Sequence, residues 1–232
     1  MLQEAGVTNI LIDQFDLKHL DGWQGSVALD SGAYRLFKAR QKGNGKKVKQ
    51  LEECLAYPWY AKIAGSRVFD FVVSLDVISD PAKTFNNWFS IPHAEGIQWV
   101  PVWHWGSDQH YLETYLKQAQ VIGIGGLVGL MREKDQEMLD QVIELCERHP
   151  DRFHIFGINW LKAIETLRDL IYSGDTSKWL DGGRYASIIF KHTRNGHLQQ
   201  APARVLPWAK GWDRRQRCVE NAREMMNFCQ GN

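Results

Sequence analysis

Short apolar runs, each stopping at a polar or glycine-rich residue and separated by helix-like stretches, constrain this chain more than any other feature of its sequence. Val27-Ala28-Leu29 runs into Asp30-Ser31-Gly32-Ala33-Tyr34, Phe71-Val72-Val73 leads to Asp76, Val100-Pro101-Val102 leads to His104, and Val121-Ile122 leads to Gly125-Gly126. Two later runs end near Asn159 and Asp175. Parallel strands need long crossovers, so strand-like and helix-like stretches in alternation predict βαβ units around a parallel sheet. In a (β/α)8 barrel the carboxyl ends of all strands meet on one face, so side chains scattered along the sequence would converge on one site. The pattern therefore predicts an enzyme.

Strands are expected over residues 9–12, 27–29, 69–75, 99–103, 120–123, 153–157, 170–173 and 186–190, and eight would close a barrel. Helices are expected over residues 49–64, 81–90, 107–118, 134–148, 161–169 and 214–228. Asp80-Pro81 and Ser107-Asp108 carry helix-start chemistry, and His149-Pro150-Asp151 carries a stop. The segment 41–47 reads as the most mobile loop. With 232 residues, no internal repeat and no dividing linker, the expected architecture is α/β: a TIM-like (β/α)8 barrel forming one compact domain over residues 1–232.

Hydrophobic residues at 44% and charged residues at 24% exclude disordered and fibrous classes. The sequence has no apolar stretch of membrane-spanning length and no secretory-type N-terminus, so a soluble cytoplasmic protein is expected. Cys54, Cys146, Cys218 and Cys229 form no CxxC pair, which argues against a zinc cluster or a redox dithiol. A net charge of +1 rules out a global basic field. Local cations remain: Lys38, Arg40, Lys42, Lys46, Lys47 and Lys49 around Gly43-Asn44-Gly45, and Lys210, Arg214, Arg215 and Arg217 at the last helix. Each cluster is either a solvated face or a phosphate contact, with Lys42, Lys46, Lys47, Arg214 and Arg215 the nucleic-acid candidates.

Asp30, Asp76 and Asp175 lead the catalytic candidates, because carboxylates gathered in one pocket can divide acid, base and nucleophile roles. Each has a structural alternative as a turn, loop cap or helix cap. Gly123-Ile124-Gly125-Gly126-Leu127-Val128-Gly129 fails the dinucleotide spacing, since Val128 stands where the third glycine is needed. Its glycines either let the main chain face a flat ligand or make a tight turn. Trp103 and Trp105 bracket His104, where their faces could sandwich a base. No nucleophile elbow, phosphate loop or zincin pair is present.

Taken in chain order, these motifs over residues 26–190 resemble the tRNA-guanine transglycosylase superfamily, in particular its DNA-modifying branch that inserts 7-deazaguanine bases. The resemblance implies Asp30 as general acid/base within its Asp-Ser-Gly segment, with Ser31 at the substrate. It implies Asp76 as the residue that reads the purine's polar edge. His104 stands where the family has a glutamine, Gly125, Gly126 and Leu127 match its glycine segment, and Asp175 takes the nucleophile's place. The family's tRNA enzymes carry a three-cysteine, one-histidine zinc site that this sequence lacks, which favours DNA over tRNA as partner. No metal or redox cofactor is expected. A free 7-deazaguanine base would be co-substrate, and so short a chain could call on an accessory protein. The alternatives are an RNA-directed transglycosylase, a base-releasing glycosylase or nucleosidase, and a non-catalytic nucleic-acid-binding subunit.

Overall fold

The computed structural model describes residues 1–91 and 96–231. The chain forms two compact units, Asn9–Gly126, and Leu127–Asn232 together with Met1–Thr8. Both combine helices with parallel strand pairs, so the α/β class holds.

Within Asn9–Gly126 the elements are β1 (Asn9–Asp13), β2 (Ser26–Asp30), α1 (Ala33–Gln41), α2 (Gly45–Cys54), α3 (Tyr57–Ala64), β3 (Val72–Val73), α4 (Pro81–Trp88), β4 (Trp99–Val100), β5 (Val102–His104), α5 (Gln109–Gln118) and β6 (Ile122–Gly125). β1 pairs with β2 from Asn9 opposite Ser26 to Asp13 opposite Asp30, β2 with β3, β3 with β4, and β5 with β6, all parallel. The strands follow one another in chain order without reversal, so this unit has no switch-point crevice of the doubly wound kind. Leu29, Tyr60, Ala64, Val72 and Leu75 form a core under the strand ends, and each large apolar side chain so buried contributes roughly 1.5–3 kcal/mol.

Several expected boundaries move for identifiable reasons. The run 99–103 becomes β4 and β5, divided at Pro101, whose nitrogen has no hydrogen while its carbonyl accepts from Gly123 N at 2.8 Å. The expected helix 49–64 is two helices, because a continuous one would put Pro58 in its interior, whereas α3 takes it in its first turn behind an extended Ala56. β6 runs to Gly125 rather than stopping at 123. A Cβ on Gly125 would sit tightly against Val102 Cγ1 at 3.3 Å and in ordinary contact with His104 Cδ2 at 3.5 Å, so the glycine eases this close approach. The segment 41–47 is mostly helical: α1 extends through Gln41, and Asn44 caps α2 by accepting from Lys47 N at 3.1 Å. Asp80 and Asp108 cap α4 and α5, as expected.

The second unit contains α6 (Val128–Glu133), α7 (Gln136–Arg148), β7 (Phe153–Ile155), α8 (Leu161–Leu167), β8 (Ser173–Gly174), α9 (Asp181–Arg184), β9 (Ser187–Lys191), β10 (Leu198–Pro202) and α10 (Arg214–Cys229). β7 and β8 pair in parallel. The run 186–190, expected as one more parallel strand, instead forms β9 and pairs antiparallel with β10. β10 escaped the sequence reading because Leu198-Gln199-Gln200-Ala201-Pro202 lacks apolar alternation and ends in proline.

Asn221 of α10, fully buried, fastens this hairpin. Its carbonyl accepts from Ile189 N at 2.8 Å, and its amide donates to Ser187 O at 3.1 Å and Trp179 O at 3.3 Å. Gly182 lets α9 approach α10 closely, since a Cβ there would lie 2.7 Å from the Arg217 carbonyl carbon. α10 starts with a capping box in which Asp213 and Gln216 bond each other's backbone N–H. Among the described residues no helix is long and apolar enough to cross a membrane.

Candidate active site

Parallel strands in register bring their carboxyl ends to one edge, and in Asn9–Gly126 that edge carries Asp13, Asp30, His104 and Gly125, with Asp76 just beyond β3. Asp30, half-buried, accepts from Gly32 N at 3.1 Å through Oδ2. The turn exists because Gly32 sits at φ 82°, and a Cβ there would meet Phe15 Cε2 at 2.7 Å. Ser31 is fully buried, and its hydroxyl accepts from Ala33 N at 3.2 Å to start α1 while its carbonyl accepts from Gln14 Nε2 at 2.7 Å. Asp30-Ser31-Gly32 is thus both a turn and a strand-end carboxylate, and Ser31 serves the turn.

Asp76 and His104 form a short, largely buried polar contact at this unit's edge. His104 Nε2 donates to Asp76 Oδ1 at 2.6 Å, with the two side chains only 11% and 17% exposed. Thr84 Oγ1 accepts from Val77 N at 2.9 Å and lies 3.2 Å from the same Asp76 oxygen. Asp76 also borders a cavity of about 370 Å³ walled by Leu36, Phe37 and Tyr57, with Lys83 and the Arg40–Glu52 ion pair among its lining. That size lies within the range of small-molecule sites. Gly126, at φ 85°, follows β6 and is exposed.

Two tyrosines of α3, absent from the sequence reading, hold the strand ends from behind. Tyr60, fully buried, donates its hydroxyl toward Val73 O at 2.9 Å and Leu29 O at 3.4 Å. Burial, and then the negative charge of Asp30, hold its pKa well above the ordinary phenol value, so it remains a donor. Tyr57 accepts from Leu75 N, the residue before Asp76, at 3.2 Å, and burial raises its pKa as well. Their spacing on one helix face was the available signal. Asp13 was missed too, although Ile10-Leu11-Ile12 before it obeys the rule that singled out Asp30. It accepts from Phe15 N at 3.0 Å and pairs with Arg35 Nε at 2.5 Å, and Arg35 also bonds Asp16.

In the second unit Asp175 follows β8 directly. Its Oδ1 accepts from Gly157 N at 2.9 Å and lies 3.6 Å from His154 Nε2, and its side chain is 33% exposed. His154, on β7, is buried, and its Nδ1 sits 2.8 Å from Ser173 Oγ. When the Ser173 hydroxyl donates to Nδ1, the imidazole proton stands on Nε2, toward Asp175. The sequence reading treated His154 as strand only, because a single histidine inside an apolar run has no spacing signature. Asn159, the other run-end residue noted earlier, donates Nδ2 to Gly157 O at 3.0 Å and shores up the turn that presents Asp175.

The remaining candidates separate into used and available groups. Trp103 is 3% exposed and donates Nε1 to Asp108 O, so its ring is core packing rather than a face offered to a base. Leu127 is fully buried, and its carbonyl starts the helical turn that reaches Met131. Lys42, Lys46 and Lys47 are exposed at the junction of α1 and α2. Arg214 is exposed, Arg215 is paired with Glu4, and Arg217 bonds Gly182 O and Trp212 O. Among the described residues no three histidines, cysteines or carboxylates gather as a metal site.

Compared with models of known protein families and with curated protein sequences, the chain matches none.

Proposed function

We propose that the chain is a base-exchange transglycosylase that removes guanine from DNA at C1′ and inserts a free 7-deazaguanine base, leaving the sugar-phosphate chain intact. The reading takes the complete architecture as a single (β/α)8 barrel, supported by the parallel order β1-β2-β3-β4, by the parallel pair β5-β6 and by polar residues at the strand ends. One observation carries the chemistry: Asp175 is a strand-end carboxylate with both described contacts on Oδ1 and a third of its side chain open to solvent.

In this reading Asp175 attacks C1′, the C1′–N bond breaks, and a glycosyl-aspartate ester forms, splitting one difficult displacement into two easier ones. Asp30 protonates the departing guanine and then takes the proton of the incoming base, so the proton balance closes within the cycle. Asp76, held still by His104, accepts hydrogen bonds from the purine's polar edge, and the main chain at Gly125 and Gly126 faces the ring. A base inside a duplex hides C1′, so the target nucleotide is flipped out or already single-stranded. The exposed amines of Lys42, Lys46 and Lys47 are the first candidates for its phosphates.

Nucleoside mass spectrometry of DNA and tRNA from cells expressing the chain with a deazaguanine supply tests the reading. A 7-deazaguanine deoxynucleoside supports it. A modified ribonucleoside moves the substrate to RNA, abasic sites indicate hydrolysis, and unchanged nucleosides with purified protein and base supplied overturn it.

A further inference from the structure

Residues 182–212 contain no aspartate or glutamate, yet they carry Arg184, Lys191, Arg194, Arg204 and Lys210 together with Tyr185, Phe190, Trp208 and Trp212. They form β9, β10 and two short turns, Ala203–Val205 and Pro207–Ala209. The carboxylates that reach this segment from outside are already engaged. Glu224 accepts from Lys191 N, Glu165 accepts from Leu198 N and faces His197, and Asp181 is buried against Lys178 and Gln200. Arg204 and Lys210 are exposed and have no ion pair among the described residues. The segment itself therefore carries only cationic side chains, with Arg204 and Lys210 clear of the carboxylates that reach it at Lys191 and Leu198.

Its aromatic content is placed unusually. Ile188, Ala203 and Ala209, with Phe190, Leu206 and Trp212 against them, make a small core. Trp208 stands outside that core at 51% exposure, held edge-on by Trp212 at 5.3 Å and Phe190 at 6.2 Å. Val205 beside it is 60% exposed, and Gln199 and Gln200 of β10 are exposed as well. A half-open indole, with Arg204 and Lys210 close to it in the chain, leaves apolar area in water that a planar ring would cover, and those charges favour an anionic chain. Stacking platforms beside positive grooves are the recurring solution for single strands, whose base faces are open, and duplexes offer no such face.

From this we infer that the β9–β10 hairpin and the two turns after it dock a single nucleic-acid strand, with Trp208 stacking on a base and Arg204 and Lys210 contacting phosphates. The inference stands on these residues and rests on the base-exchange reading only for the choice of DNA as probe. Fluorescence anisotropy with a labelled single-stranded oligodeoxynucleotide, titrated at several salt concentrations, tests it. Binding is expected to be tighter than for the duplex of the same sequence. Trp208→Ala should weaken it on the order of tenfold, with Trp208→Phe recovering most of the loss. Arg204→Gln with Lys210→Gln should reduce the logarithmic salt slope by roughly 1.4, about 0.7 per phosphate contact. Strand binding that ignores Trp208, or a salt slope unchanged in the double variant, overturns the inference. So does capture of anionic vesicles without oligonucleotide binding, which would make this a membrane surface. The readout needs no turnover: failed exchange leaves the inference standing, and exchange without binding at this surface overturns it alone.

Discussion

Asp76 and Asp175 each stand past a strand end with a histidine at one oxygen, yet they are held in opposite ways. Asp76 is 17% exposed, 2.6 Å from His104 and within reach of Thr84. Asp175 is 33% exposed, 3.6 Å from His154, and its one short bond comes from the Gly157 backbone. A mostly buried carboxylate with two side chains on one oxygen is fixed in direction and suits recognition of a hydrogen-bonding edge. One held by a backbone N–H and twice as open to solvent keeps its Oδ2 accessible, as the proposed attack on C1′ requires. Under the proposed function, this contrast in environment is what separates reader from nucleophile in residues of one type.

The largest expected effect breaks that assignment if it fails. Asp175→Asn should lower the rate of base exchange by at least about a thousandfold, because covalent chemistry is lost. Asp76→Asn should cost roughly ten- to a hundredfold, mainly in KM. Equal kcat losses for the two variants would erase the distinction.

The next effect concerns what holds each carboxylate's unit together. Asn221→Leu removes three hydrogen bonds, two from α10 to β9 and one to Trp179 O, and leaves buried backbone groups unpaired, so urea denaturation should report a loss of roughly 2–4 kcal/mol. A loss below about 0.5 kcal/mol would mean that the network is replaceable.

Histidine variants sharpen the comparison further. His154→Gln should reduce kcat about tenfold with KM nearly constant, since it positions the attacking group, whereas His104→Gln should act mainly on KM. The reverse split would exchange the two roles.

The smallest effect is Tyr60→Phe, which strips a donor from the Val73 and Leu29 carbonyls and should cost about 1–2 kcal/mol in thermal or chemical unfolding. A variant as stable as the parent would show that those carbonyls find another donor.

The strand-end carboxylates were legible in the sequence because they follow apolar runs: Asp30 after Val27-Ala28-Leu29, Asp76 after Phe71-Val72-Val73. So were the helix caps at Asp80 and Asp108, whose signal is local. The partners of those carboxylates were not. His154 lies nineteen residues from Ser173 and touches it only because β7 pairs with β8 in parallel. Tyr60 reaches Leu29 across thirty-one residues of chain. The pairing of β9 with β10 likewise depends on α10 covering one face of the hairpin, which no pattern within Leu198–Pro202 announces.

By itself the sequence determined the α/β alternation, the starts of α4, α5, α7, α8 and α10 to within two residues and the carboxylates that end apolar runs, since all of these depend on residues within a few positions of one another. The tertiary structure alone decided which carboxylate is clamped and which is open, that Trp103 is core while Trp208 faces solvent, and that β9 turns back antiparallel. Those outcomes come from burial and hydrogen bonds between segments distant in the chain, and such contacts leave no local pattern to read.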